Sequence, residues 1–501
     1  MRTMRNISVN INVQRHRSRF SQNSAWSHHE KIVVVDQSIA FLGGLDLALM
    51  RYDDNQHRLT DLNNIQTWIG QDYTNVRVKD FAQVDREKKS LIDRRKVPRQ
   101  PWRDVGCCLI GGPVHDLSRY FIERWQHARL LSGMKDFIAL PQLCCPIKRE
   151  LFLQDGLQEI DACQILRSVS RWSAGTKPES SIHSAYLNII ANAKEYIYIE
   201  NQFFVSGTTD GDKEVGNRIA EAIVERILKA IEKQERFHVI VIMPLLPGIE
   251  GEIGKNKSNS MMSVLHAQYR TINRGEKSMY ARIEEMLPKD KQVEDYIAFF
   301  GLRKFDKLNK HYVTEGIYVH SKAICVDGET VIIGSANIND RSMLGNRDSE
   351  IAVLIKSKNK KFGTEFVSSS LSEFLDCSIE EAKKLLIYTS KWNAILRKQA
   401  QKNTIIFRIV FGCLPCNSIK SWRDLEIKRE EQQRNNNAED LSINYNKDNY
   451  RIMPSIDDNS IKKKLSQIKG TIVEFPLRFL IEEKELVSSW SAEWQARTIF
   501  Y

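Results

Sequence analysis

The sequence predicts an α/β protein: two α/β/α-sandwich lobes related by pseudo-twofold symmetry, the first incomplete at its N-terminus, with a C-terminal helical cap. Three observations carry this. Two segments 291 residues apart repeat one pattern, His29, Lys31 and Asp36 followed by Gly43-Gly44, and His320, Lys322 and Asp327 followed by Gly334-Ser335. Between them, amphipathic helical stretches alternate with short apolar runs, the pattern of helices laid on a buried sheet. A chain of 501 residues, 42% of them hydrophobic, can bury two cores without disulfides.

The elements follow in order. Ahead of the first motif only residues 11–14 read as a strand, against the long run of helices and strands between 166 and 319 that precedes the second. Several elements of lobe one are therefore expected to be missing, and the exposed sheet to invite aggregation. Residues 31–35 and 39–42 read as a hairpin about a polar turn. Residues 126–165, with Pro141, Pro146 and Asp155-Gly156, read as an inter-lobe connection. Helices are expected over 182–194 and 215–236, the latter with Ile219, Ile223, Ile227 and Ile231 on one stripe. Each leads into an apolar strand, at 196–199 and 237–243. Residues 317–326 read as one buried strand, Asp327-Gly328 as its tight turn and 331–333 as the returning strand. Beyond 357 come helices, a polar loop over 430–447 and a strand near 471–475. The resulting units are 1–125 (remnant of the first lobe), 126–165 (connection), 166–356 (second lobe) and 357–501 (cap).

Residues two apart on a strand share a face, so each His projects beside its Lys. Two His–Lys pairs on matching scaffolds point to one phosphodiester-cleaving site built from two halves. Cleavage requires a nucleophile, a proton donor for the leaving alcohol, and cations around the phosphate. Two histidines divide the first two tasks, and Lys31 and Lys322 supply the third without a metal. Gly43 and Gly44 allow backbone to approach a phosphate, and Ser335 and Asn337 add side-chain hydrogen bonds. Asp46 stands in the place of Asn337. Each His needs an orienting carboxylate, for which Asp61 and Glu350 are the candidates. Asp36 and Asp327, at strand ends, are expected to tie loops rather than touch substrate. His28 is out of register with Lys31.

The net charge of +11 favours anionic surfaces, lipid or nucleic acid. Clusters at 94–96, 356–361 and 462–464 read as solvated faces. Arg270 and Arg274, four apart in a helical stretch over 260–275, share a face. Nine cysteines show no disulfide or zinc framework, and Cys413-Leu-Pro-Cys416 reads as structural. No run approaches 18 apolar residues, and the start is polar, so a reducing, cytosolic compartment is expected.

The paired HxKx4D motifs resemble those of the phospholipase D superfamily, and the chain looks most like its eukaryotic phosphatidylcholine-hydrolysing members. The matching text includes Trp26-Ser-His-His-Glu-Lys31, Gly43-Gly-Leu-Asp46, Asp53-Asp-Asn-Gln-His-Arg-Leu-Thr-Asp61, Pro101-Trp-Arg-Asp-Val-Gly106, Ile199-Glu-Asn-Gln-Phe-Phe204 and Gly334-Ser-Ala-Asn-Ile-Asn-Asp-Arg-Ser342. The resemblance implies hydrolysis of phosphatidylcholine to phosphatidic acid and choline through a phosphohistidine, with primary alcohols able to replace water. It favours His29 as nucleophile and His320 as acid/base. It links Arg270 and Arg274 to phosphoinositide, an activator rather than a required cofactor. It further implies a cytoplasmic protein peripheral to a phospholipid membrane surface, with no nucleic-acid partner. Regulators of the small-GTPase or kinase kind are left unspecified. The family's usual PX and PH domains do not fit ahead of residue 29. The competing readings are a nuclease or other phosphodiesterase of the superfamily, and a truncated, non-catalytic lipid-binding protein.

Overall fold

The computed structural model describes residues 7–8, 10–14, 16, 26–62, 67–132, 158, 160–212, 214–251, 253–254, 259–388, 392–435, 454–484 and 486. The first motif lies on a hairpin of β1 (Ile32–Val35) and β2 (Ile39–Gly43), whose turn holds Asp36 and Gln37 at positive φ. A two-residue strand β3 (Trp102–Arg103) leads to β4 (Gly106–Ile110), which pairs antiparallel with β2 to give a three-stranded sheet. Helix α1 (Gly112–Ser132) packs Val114, Leu117 and Tyr120 over Ala40, Leu42 and Leu109. The strand expected over 11–14 is not formed. Ile11 stays 38% exposed, so the segment buries too little apolar surface to join a sheet.

The second motif lies in an eleven-stranded sheet, counted among the described residues. Its elements are β5 (Ala162–Val169), β6 (Glu179–Ser180), β7 (Tyr196–Asn201), β8 (His238–Ile242), β9 (Ile297–Leu308), β10 (His311–Val319), β11 (Lys322–Val326), β12 (Thr330–Gly334) and β13 (Glu350–Lys356), together with β3 and β14 (Ile472–Glu474). The expected single strand over 317–326 is in fact two. β8 pairs with the first part of β9 (Ile297 to Phe300) and β10 with its later part (Leu302 to Leu308). β10 thus ends where β8 ends, and two residues, His320 and Ser321, carry the chain across to β11 beside β7. His320 therefore sits at the C-terminal ends of the parallel strands β7 and β8, where α/β sheets open for ligands.

Helix α2 (Ser181–Ala191) stops short of the expected 194 because the Asp327 carboxylate accepts the N–H groups of Lys194, Glu195 and Tyr196 at 2.7–2.9 Å. Helix α3 (Ile219–Glu232) begins later than 215 because Asp340 takes the N–H groups of Gly216 and Asn217. Both carboxylates satisfy backbone donors that a longer helix would need for itself. The longer helices that follow are α4 (Asn259–Ile272), α5 (Lys361–Leu375), α6 (Ile379–Tyr388), α7 (Trp392–Phe411) and α8 (Trp422–Asn435). α8 takes up residues 430–435 of the expected polar loop, and 436–447 lie outside the described residues. The expected connection starts inside α1 and ends in β5, with 133–157 outside the described residues. The strand near 471–475 is β14, and it pairs with β9, so the C-terminal region joins the main sheet.

The two motifs share a register. β2 pairs with β4 so that Gly43 faces Gly106, and β12 pairs with β13 so that Gly334 faces Ala352. One difference is covering. Ile324, Ile332 and Leu354 are buried in the main core, whereas their counterparts Val33, Phe41 and Cys108 are exposed.

Candidate active site

Each half delivers a histidine at the start of its hairpin, and each histidine is gripped by the other half. The His29 backbone N–H donates to the Ser349 carbonyl at 2.9 Å, and the His320 N–H donates to the Arg103 carbonyl at 2.8 Å. The residue after each carbonyl is the carboxylate. His29 Nδ1 lies 2.9 and 3.0 Å from the two oxygens of Glu350, and His320 Nδ1 lies 2.8 Å from Asp104 Oδ2. A carboxylate on Nδ1 fixes the tautomer and leaves Nε2 for chemistry. Each lysine folds back on its own histidine: Lys31 Nζ donates to the His29 carbonyl at 2.5 Å, and Lys322 Nζ donates to the His320 carbonyl. The second contacts are Asp46 for Lys31, at 3.2 Å, and Gln202 for Lys322, at 2.9 Å.

Asp104 corrects the expectation placed on Asp61. Asp61 bonds Arg94 with both oxygens at 3.0 Å and accepts the Trp68 N–H, so it holds the loop after the first hairpin and meets neither histidine. The second-half acid stands 30 residues after its histidine and the first-half acid 75 after, because a long insert separates β2 from β3. The signal that finds Asp104 is sheet register: Asp104 and Glu350 each stand two residues ahead of the partner of the last strand glycine.

The remaining expected residues separate. The Ser335 hydroxyl donates to Glu350 at 2.5 Å and accepts from the Ile351 N–H. It therefore steadies the carboxylate, a correction to its expected place on phosphate. Ser342 donates to the other Glu350 oxygen at 2.6 Å. Asn337 is buried, its amide oxygen without a hydrogen-bond partner. Gly44 is required by close approach, since a Cβ there would stand 2.9 Å from the His320 carbonyl oxygen and would collide with Asp104. Gly43 packs on Val105 and Gly106 in the same way. Neither aspartate of the motifs reaches the site: Asp327 ties the start of β7, and Asp36 is exposed in the hairpin turn. His28 turns away from Lys31, stacks on Trp172 at 4.6 Å and meets Arg124, and burial with that guanidinium pushes its ring down to about 2.

The electrostatics favour an anion. Burial, with Lys322 and Arg51 alongside, holds the His320 ring well below the usual imidazole range. Burial brings the Lys322 amine down to about 7, Asp104 pulling it up and Lys31 down. Burial raises the Asp104 carboxyl, against the pull of Lys322. At Asp46 burial is outweighed by Lys31, His320 and Arg51, and the carboxyl is lowered. Trp102 covers the His320 ring at 4.8 Å between centroids, with the Arg51 guanidinium 4.1 Å from the Trp102 centroid. Among the described residues, no group of three or more His, Cys, Asp or Glu side chains could hold a metal ion, and no helix is long and apolar enough to cross a membrane.

Arg270 and Arg274 line a separate cavity of about 420 Å³ with Lys277, and they differ. Arg270 is exposed and pairs with Glu214. Arg274 lies past the end of α4, half-buried against Tyr269, and donates to the Phe479 carbonyl at 2.6 Å. The expected shared helical face is therefore absent, because the helix ends at Ile272.

Comparison with known proteins matches this arrangement to a family. The family model for phospholipase D matches residues 4–359, more than two thirds of the chain. Phospholipase D2 of Bos taurus is 38% identical over 97% of this chain and 54% of its own length. Phospholipase D zeta 2 of Arabidopsis thaliana is 34% identical over 96% of this chain and 55% of its own length. Phospholipase D1 of Schizosaccharomyces pombe is 41% identical over 70% of this chain and 26% of its own length. The chain thus spans about half the length of the first two relatives and a quarter of the third. Both motifs and both orienting carboxylates fall within the matched residues, and the chain belongs to the phospholipase D family.

Proposed function

We propose that this chain hydrolyses phosphatidylcholine to phosphatidic acid and choline, and transfers the phosphatidyl group to primary alcohols. The observation that carries the reading is the reciprocal pair of His–carboxylate bonds, with Lys31 beside His29 and Lys322 beside His320. One histidine attacks phosphorus through Nε2 and displaces choline, while the other protonates the choline oxygen. The second histidine then takes a proton from water or alcohol, whose oxygen attacks phosphorus and releases the first. The two lysines neutralise the non-bridging oxygens, and Asn337 adds a hydrogen bond.

The resemblance favours His29 as nucleophile. In this reading the substrate is taken from a phospholipid membrane surface by a peripherally associated, cytoplasmic protein. Phosphoinositide acts at Arg270, Arg274 and their cavity, and the two motifs define the two lobes. Release of choline from phosphatidylcholine vesicles, set against cleavage of single-stranded DNA, tests the function. Choline release without DNA cleavage supports it, and DNA cleavage alone would move the chain to the nucleases of the superfamily.

A further inference from the structure

Residues 102–104 make three contacts that fix His320. Trp102 covers its ring, the Arg103 carbonyl accepts its backbone N–H, and Asp104 binds Nδ1. This tripeptide is itself held by a closed circuit of buried charges. The Trp102 N–H donates to Asp53 Oδ2 at 2.8 Å, and the same oxygen lies 3.0 Å from His57 Nδ1. His57 Nε2 lies 3.2 Å from Glu373 Oε1, and the other Glu373 oxygen accepts from Arg103 at 2.5 Å. Arg103 also forks onto Glu200 at 2.7 and 2.9 Å and donates to Ser370 at 2.8 Å. The circuit starts at Trp102 and ends at Arg103, and it links the first-half insert to β7 and α5 of the second half.

Buried ion networks of this kind are no more stabilising than well-packed apolar side chains, so stability alone does not account for one here. Fully satisfied, such a network fixes geometry. We propose that His57, Glu373 and Arg103 are positioning residues that hold Trp102 and Asp104 against His320. The proposal deepens the reaction assigned above and rests on it. Its selectivity is built in. The Ser349 carbonyl that holds His29 belongs to a separate group, Ser349 with Glu30 and Arg124, which shares no residue with the circuit.

The test uses the whole chain with its histidines labelled, and the variants Glu373→Gln and His57→Gln. The low-field imidazole proton of the His320–Asp104 bond is assigned by its loss in Asp104→Asn, and that of His29–Glu350 by its loss in His29→Asn. In folded Glu373→Gln and His57→Gln the first resonance should shift or broaden and the second stay in place. On a soluble short-chain phosphodiester, kcat should fall by about 100-fold, with KM changed less than about twofold. Conservative Arg103→Lys should lose kcat in the same way, because an ammonium cannot reproduce the fork. Unmoved resonances with full kcat would overturn the proposal. So would equal disturbance of both histidines, or failure of all three variants to fold, either of which makes the circuit an element of the fold alone. Absence of cleavage by the unsubstituted chain would count against the assigned reaction instead, and the resonances would still decide the positioning.

Discussion

Asp104 and Glu350 hold the same place in the two halves of the protein. Each stands two residues ahead of the partner of a strand glycine, Gly106 facing Gly43 and Ala352 facing Gly334. Each also reaches across to the histidine of the opposite half, at 2.8 and 2.9 Å. A site assembled by such exchange exists only when both halves are docked.

Asp104→Asn should therefore lower kcat by roughly 100-fold or more on a soluble phosphodiester, since the wrong tautomer and orientation of His320 follow. Asp61→Asn should spare kcat but cost about 3 kcal/mol in stability, by leaving Arg94 in a broken, buried pair. Steady-state kinetics and urea unfolding of the two variants check this. Equal loss of kcat in both would return Asp61 to the site.

The Lys322 amine, brought down to about 7, gives a signed pH dependence. Its folded value lies below the ordinary 10.5, so the cost of burying the ammonium is fully present below about 7 and is relieved as pH rises towards 10.5. Lys322→Met should raise the unfolding temperature more at pH 6 than at pH 9, while abolishing turnover. A bound tetrahedral dianion favours the ammonium, so tungstate should bind with net proton uptake at pH 8. Calorimetry in buffers of different ionisation enthalpy measures that uptake, and its absence would show that Lys322 does not face the anion.

Arg270 and Arg274 should separate on substitution. Arg270→Ala, at an exposed position, should weaken binding to phosphoinositide-containing vesicles and leave the unfolding temperature unchanged. Arg274→Ala removes a half-buried guanidinium packed on Tyr269 and bonded to Phe479, and should lower stability by about 1–3 kcal/mol. Vesicle sedimentation and thermal unfolding distinguish the two, and identical behaviour would contradict this division.

Val33, Phe41 and Cys108 form an exposed row across the first sheet, where the second half buries Ile324, Ile332 and Leu354. The chain should self-associate through this face. Val33→Thr combined with Phe41→Thr should raise the monomer fraction in light scattering without changing turnover per folded molecule. An unsubstituted chain that stays monomeric at high concentration would show that the face is harmless.

The parts legible in the sequence were those written in local pattern. The hairpins of both motifs and the stripe of Ile219, Ile223 and Ile227 on α3 follow from periods of two and 3.6, whereas each lysine meets its histidine off a shared strand, because β1 begins at Ile32 and β11 at Lys322. What local pattern does not carry was missed for identifiable reasons. Asp104 is hidden by the insert between β2 and β3, which puts it 75 residues after His29 where Glu350 stands 30 after His320. The crossing at His320 and Ser321 is hidden because an apolar run reads alike whether it keeps one partner strand or changes it. The late start of α3 depends on Asp340, more than 120 residues away in sequence. Ser335 looked like a phosphate ligand because its hydroxyl is suited to either task, and only the position of Glu350 decides between them.

The central claim is a single phosphodiester site in which one histidine from each half takes a separate role. It is tested most directly by quenching the reaction on phosphatidylcholine in alkali, where phosphohistidine survives, and mapping the phosphate by mass spectrometry. The account predicts a glycerophosphoryl group, the phosphatidyl group stripped of its acyl chains by the alkali, on the peptide carrying His29 or on that carrying His320. It should accumulate when the opposite histidine is replaced by Asn and vanish when both are. Choline release at the normal rate from the doubly substituted chain would contradict it.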